Sequence, residues 1–266
     1  MHVARKTWGV PAKGWIMRQV LKAVAYLHRV AVIHSDIKCS NVTCNEDAEM
    51  HVRLLDFGKS WVDMPGCRPV FSTPSHLKVG TLHCRAPEII LHDPRLGPPM
   101  DVWAVGALMG ELTITGKPLF QTRSKHAMDV LDQVLSLFGT PTVVEAGSLA
   151  DLPAWKDIDN FGYHDRANLD DKFKGGFGPR GLDLLVALLT LDPQRRAVGL
   201  GFSGCSRCVL PLKHSRHTID SMVGRVTLIL RMLRDPYLNI ISFISSVGSL
   251  FKCYRSQLSV AKRSQG

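Results

Sequence analysis

Residues 100–112 read Met-Asp-Val-Trp-Ala-Val-Gly-Ala-Leu-Met-Gly-Glu-Leu. A helix that is apolar on nearly every face belongs inside a domain, not on its surface. Helical spacing recurs on either side of it. Met17, Val20, Leu21, Val24 and Leu27 predict a helix over residues 15–27, after the break at Gly9-Val10-Pro11. Met128, Leu131, Val134, Leu135 and Phe138 predict another, ended by Gly139-Thr140-Pro141. Residues 182–191 predict a further one, stopped by Asp192-Pro193. Strand signals are few and short. Residues 30–33 are apolar and mostly β-branched, and Val42 and residues 51–55 flank the polar turn Asn45-Glu46-Asp47 as two short strands. Residues 59–80 read as one long loop, of the kind that is usually functional or disordered in compact domains. Residues 141–180 are polar and glycine-rich with weak signals, and no internal repeat is present. The expected fold is mostly α, with one small β-hairpin.

Composition narrows the function classes. The chain has 266 residues, 45% hydrophobic and 21% charged, which is ordinary for a soluble globular protein. No run of about 18 apolar residues is present, so no membrane-spanning helix and no membrane partner is expected. The start of the chain has no apolar signal-peptide region. Seven Cys without a repeating framework suit a reducing compartment, the cytoplasm or nucleus. The net charge of +10 is uneven. Residues 1–197 carry 23 Lys/Arg against 21 Asp/Glu, and residues 198–266 carry 10 against 2. The expected organisation is a domain over residues 1–197 and a basic tail over residues 198–266. Such a tail can attract nucleic acid. No aromatic-basic interleaving accompanies its charge, so weak structural selection is preferred and nucleic acid is not an expected partner.

The chemistry-bearing residues come in a fixed order. The first group is His34-Ser35-Asp36-Ile37-Lys38-Cys39-Ser40-Asn41. Next are Asp56-Phe57-Gly58, Arg85-Ala86-Pro87-Glu88, Asp101-Val102-Trp103 and Asp192-Pro193-Gln194-Arg195-Arg196. Phosphoryl transfer from a nucleotide needs a carboxylate for the acceptor hydroxyl, oxygen ligands for Mg²⁺, and positive charge against the developing negative charge. Asp36 suits the base, Lys38 the charge, and Asn41 and Asp56 the metal. Singly, each group is as well explained by an Asx turn. Five groups in one order are not.

In that order they resemble a eukaryotic protein kinase, over residues 9–197. "VGTLHCRAPEIIL", "DVWAVGALMGELTITGKPLF" and "VLSLFGTPT" are similar to the cyclin-dependent-kinase-like and MAP-kinase-like group, and Lys38 to serine/threonine rather than tyrosine kinases. The resemblance implies ATP and Mg²⁺ as cofactors, a protein substrate with Ser or Thr, and a possible regulatory protein. It implies that Asp36 is the catalytic base, Lys38 its phosphate-side partner, and Thr81 a hydrogen-bond partner of both. Asn41 and Asp56 would hold magnesium. His34, Phe57, Gly58, Glu88, Asp101 and Arg196 would be structural. Glu88 would form a buried ion pair with Arg196, and Asp101 would accept backbone hydrogen bonds from the catalytic loop. The implied fold is the mostly α C-terminal lobe with a small β-hairpin near Asp56, the α+β N-terminal lobe being missing.

The chain departs from the family pattern in several places. Ser35 stands where most of the group has an Arg that grips a phosphate on the activation loop. His76 stands where cyclin-dependent kinases have the phosphorylated Thr, though Ser72, Thr73 and Ser75 are near. The loop is therefore expected to be constitutively set or not set at all. Only 33 residues precede His34, too few for a glycine-rich loop, a strand Lys and a helix Glu, and Val3-Ala4-Arg5-Lys6 matches the strand motif only superficially. Gly176-Phe177-Gly178-Pro179-Arg180-Gly181 matches G-x-G-x-x-G, but without a preceding strand it reads as a flexible loop. Cys205 and Cys208 lack the further pair a zinc site needs, although His214 and His217 are near. The tail lacks the family's closing helix, and Ile240, Ile241, Phe243 and Ile244 are candidates for a short amphipathic helix. The expected function is a serine/threonine kinase family member, truncated and weakly active or inactive as this chain. The alternative is a non-catalytic pseudokinase-type binding module using the substrate groove or residues 117–160.

Overall fold

The computed structural model describes residues 2–3, 7–45, 50–63, 79–114, 116–121, 124, 126–173 and 176–196. Several sequence expectations fall outside them: residues 4–6, the candidate phosphosites Ser72, Thr73 and Ser75 with His76, the Cys205/Cys208 pair, and residues 198–266.

Helix α3, Pro98–Thr113, is the centre of the domain, and every residue from Met100 to Leu112 is buried. Two glycines let neighbours approach its backbone. A Cβ at Gly106 would lie 2.7 Å from the Leu189 side chain, and one at Gly110 would lie 2.5 Å from that of Leu119. Helix α1, Val10–Arg29, packs on α3 with Met17, Val20, Val24 and Leu27 of the expected stripe buried, Leu21 only partly buried, and Ile16 buried in addition. It begins earlier than the periodicity marks because Pro11 occupies its first turn, where a missing N–H is harmless. Helix α7, Pro179–Leu188, packs on another side of α3. It also starts early, at a proline preceded by Gly178 at φ +72. The G-x-G-x-x-G match is thus a loop running into a helix start. Helix α4, Ala127–Phe138, ends at Gly139 with φ +85.

Two antiparallel pairs flank the helices. β2, Val42–Cys44, pairs with β3, Val52–Leu54, with Val42 opposite Leu54. β1, Val32–Ile33, pairs with β4, Trp61–Val62, with Ile33 opposite Trp61. Among the described residues, the expectation of one small β-hairpin is therefore corrected to two two-stranded sheets. The first was legible as a local hairpin. The second joins segments 28 residues apart through two residues each, too short for any period to register. It also corrects the loop expected over residues 59–80, within which Trp61–Val62 is a strand.

The described part of residues 141–180 holds more regular structure than its composition predicts. Short helix α2, Pro87–Ile90, lies earlier in the chain. Within the polar stretch are α5, Val143–Ala146, 3-10 turns at Gly147–Leu149 and Trp155–Phe161, and α6, Leu169–Lys172. Thr142 and Glu145 form a reciprocal capping box on α5. Asn168 caps α6, accepting from the Asp170 and Asp171 amides. Among the described residues, no helix is long and apolar enough to cross a membrane.

Candidate active site

The site lies on the loop between β1 and β2. Asp101, in the first turn of α3, sets that loop from below. Its Oδ2 accepts from the His34 amide at 2.8 Å, and its Oδ1 from the Ser35 amide at 2.9 Å. His28 Nε2 of α1 lies 3.0 Å from the same Oδ2. Burial would raise the Asp101 carboxyl; the His28 hydrogen bond and charge, with His34, outweigh it and hold it below its ordinary value. A helix N-terminus also favours a carboxylate there.

His34 is fully buried, and its protonation follows from its partners. Nε2 faces the Leu55 carbonyl at 3.1 Å and so carries the proton, leaving Nδ1 to accept from the Asp36 amide at 3.3 Å. Burial holds its pKa below the ordinary value. Its ring packs on Phe57, centroids 4.8 Å apart, which joins the Asp36 loop to Asp56-Phe57-Gly58.

The Asp36 carboxylate is buried and receives donors from three segments. Thr81 Oγ1 donates to Oδ1 at 2.6 Å, and Lys38 Nζ to Oδ2 at 3.1 Å. Lys38 Nζ also donates to Thr81 Oγ1 at 3.0 Å, closing a triangle. Lys59 Nζ lies 3.3 Å from Asp36 Oδ2. Burial alone would raise this carboxyl. The hydrogen bonds from Thr81 and Lys38 and the two lysine charges outweigh it and hold it below the ordinary range.

Asn41 and Asp56 supply oxygens beside this group. Asn41 Nδ2 donates to the Asp36 carbonyl at 2.9 Å, a bond that does not use its amide oxygen. The Leu55 amide donates to the Asn41 carbonyl at 2.8 Å and so places Asp56 next to the Asn41 segment. Asp56 is exposed at φ +63, with Oδ1 accepting from the Gly58 amide at 3.2 Å. Among the described residues no three His, Cys, Asp or Glu gather into a metal site. One amide oxygen and one exposed carboxylate instead fit Mg²⁺, which keeps waters and substrate phosphates as its other ligands.

Glu88 and Arg196 lie away from this chemistry. Arg196 NH1 and NH2 meet the two Glu88 oxygens at 2.7 and 2.9 Å. The remaining guanidinium donors go to the Thr190, Pro99 and Leu191 carbonyls. The Trp103 ring lies 5.1 Å from the Arg196 guanidinium carbon.

A family model described as "Protein kinase domain" matches residues 10–200. The chain belongs to the protein kinase family. The match overturns the description of the chain as a C-terminal lobe with the other lobe missing: it runs from the first residue of α1 through both sheets and α7 as kinase domain. Cyclin-dependent kinase 12 of Caenorhabditis elegans is 32% identical over 184 residues, covering 68% of this chain and 23% of that protein. Cyclin-dependent kinase E-1 of Arabidopsis thaliana is 31% identical over 227 residues, covering 79% and 44%. Mitogen-activated protein kinase 14 of Xenopus laevis is 33% identical over 185 residues, covering 68% and 46%. The chain thus spans less than half the length of these relatives. In the solved structures, the crystal structure of the yeast RNA Pol II CTD kinase CTDK-1 complex holds a chain with the same fold. Its TM-score is 0.63 at 24% identity, covering 73% of this chain and 61% of that one.

Sequence reasoning missed four residues of the site. Lys59 and His28 carry no motif signal and acquire their roles only by folding. Ser60 and Trp61 sat in what was read as loop. Trp61 carries one faint signal, an aromatic residue beside the β-branched Val62 shortly after Asp56-Phe57-Gly58-Lys59-Ser60.

Proposed function

We propose that this kinase domain transfers the γ-phosphate of ATP to Ser or Thr hydroxyls of proteins, with Mg²⁺. The observation that carries this is the buried Asp36 carboxylate, held at both oxygens by Thr81 and Lys38. Asp36 orients the acceptor hydroxyl. As the hydroxyl oxygen bonds to the γ-phosphorus and the bond to the β-phosphate oxygen breaks, ADP leaves and Asp36 takes the hydroxyl proton. Lys38 offsets charge on the transferred group, and Thr81 fixes the carboxylate rotamer. Asn41 and Asp56 would hold Mg²⁺, which neutralises phosphate charge when bound. His34, Phe57, Gly58 and Asp101 set the loop, while Glu88 and Arg196 brace the fold below it. The partners are protein substrates and a regulatory protein, in cytoplasm or nucleus.

The test is Mg²⁺-dependent transfer of labelled phosphate to a Ser/Thr peptide library, by the chain and by Asp36→Asn. Loss of a general base lowers rate by about 10²- to 10⁴-fold. Incorporation equal in the two proteins overturns the assignment. A binding module without catalysis is the second reading, favoured by Val143, Val144 and Tyr163, exposed by 69%, 76% and 79%. It predicts protein binding that survives Asp56→Ala.

A further inference from the structure

Ser35 precedes Asp36 and is buried at φ +66. Its amide is committed to Asp101, and its hydroxyl oxygen accepts from Trp61 Nε1 at 2.8 Å. An indole N–H is a donor only, and a serine hydroxyl can accept it with no charge on either side. Around this bond the same two segments are joined three more times. Ser60 Oγ donates to the His34 carbonyl at 3.1 Å, the Asp63 amide to the Ala31 carbonyl at 2.7 Å, and β1 pairs with β4. The segment after Asp56-Phe57-Gly58 is therefore stitched to the Asp36 loop by neutral hydrogen bonds.

We propose that Trp61 is a positioning residue, whose indole bond to Ser35 is a charge-neutral latch fixing the peptide that carries Asp36 without need of a phosphate. A cationic side chain at position 35 would offer the indole N–H no acceptor, whereas the serine hydroxyl accepts it without any charged partner. The functional sense of the latch rests on Asp36 as the acceptor-side carboxylate, but the latch is read spectroscopically, apart from any transfer activity.

The test is NMR on the ¹⁵N-labelled full chain, whose five Trp indoles are separately countable. Trp61→Phe identifies the Trp61 signal. In Ser35→Ala, the Trp61 indole resonance shifts, and exchange at that indole and at the Asp63 amide speeds by roughly fivefold, as for one lost neutral hydrogen bond. Ser35→Asn supplies a carbonyl acceptor in a residue that tolerates positive φ, and restores both signals toward wild type. Unchanged signals in Ser35→Ala, or no restoration in Ser35→Asn, overturn the latch. Should Ser35→Ala not fold, Trp61→Phe must speed Asp63 exchange by the same factor, and no change there overturns it too. Phosphatase treatment of the wild-type chain leaves the Trp61 signals in place; a shift means a phosphate sets them and the proposal fails. A failed phosphate-transfer assay leaves all these outcomes readable.

Discussion

Asp101→Asn is the sharpest perturbation of this site, because it removes one charge and changes almost no volume. Three donors converge on the two Asp101 oxygens: the His34 and Ser35 amides and His28 Nε2. An Asn side chain offers one oxygen and one NH₂. Whichever way it is flipped, a buried backbone N–H faces the NH₂ and loses its acceptor. A hydrogen bond to a charged group is worth about 1.5–3 kcal/mol, and a buried donor left unpaired adds about 1 kcal/mol or more. The expected loss is about 3 kcal/mol at pH 7, measured by urea unfolding as a shift in midpoint without a change in slope. The pH dependence has a fixed sign. The folded-state pKa of Asp101 is depressed, so the stability it supplies is full above the unfolded value of about 3.9. It is lost as pH falls through the folded value. The gap between wild type and Asp101→Asn therefore narrows only below about pH 4. The groups facing the carboxylate are His28 from α1 and His34 from the loop, so both must be intact in the comparison. Amide exchange at His34 and Ser35 should rise in the variant by more than at α4. A loss under about 1 kcal/mol, or unchanged His34 and Ser35 exchange, would refute the claim that Asp101 holds the loop.

Arg196→Met leaves the buried Glu88 charge uncompensated and should cost about 3–5 kcal/mol, whereas adding Glu88→Leu should recover much of it; denaturant midpoints of the single and double variants decide this. Thr81→Val keeps the shape but removes the donor to Asp36 Oδ1, so kcat in the peptide assay should fall by about tenfold or more with little change in KM for ATP. Lys59→Met should alter stability by less than about 1 kcal/mol, because Lys59 is nearly half exposed and its contact is screened; a dependence on salt concentration that vanishes in the variant would confirm the contact. Gly110→Ala forces a methyl group to within 2.5 Å of Leu119 and should lower stability by about 1–3 kcal/mol in thermal unfolding.

What was legible in the sequence was local. The buried character of α3 is written in its own residues, and the α1 stripe in its period. The Asp36, Lys38 and Asn41 spacing lies within six residues, so one loop suffices to bring those side chains near each other. What was not legible required the fold. Nothing near Lys59 says that its ammonium reaches Asp36, and nothing near Trp61 names Ser35 as its acceptor. β1 and β4 are two residues each, below the length at which alternation means anything. The helices of residues 141–172 are a different case. Thr142-Val143-Val144-Glu145 is a capping box in plain sequence, and Asn168 before Leu169 is a cap signal. Weak hydrophobic periodicity hid them, because α5 leaves Val143 and Val144 exposed and buries only Ala146.

The position of Asp36 shows why the fold and the chemistry cannot be separated here. Its backbone is set by Asn41 at its carbonyl and by His34 at its amide, and the preceding residue is set by Asp101 and Trp61. Its carboxylate is set by Thr81, Lys38 and Lys59. These partners come from α3, β4 and three separate loops, so no local rearrangement can move the carboxylate by itself. The same donors that fix it also hold it ionised. An ionised, weakly basic carboxylate is a poor group for stripping a proton from an alcohol in the ground state. It is a good group for holding that alcohol in line. On the proposed function, proton transfer becomes favourable only as the oxygen bonds to phosphorus and the hydroxyl turns acidic, so positioning of the acceptor is the part of the transfer that these residues would supply.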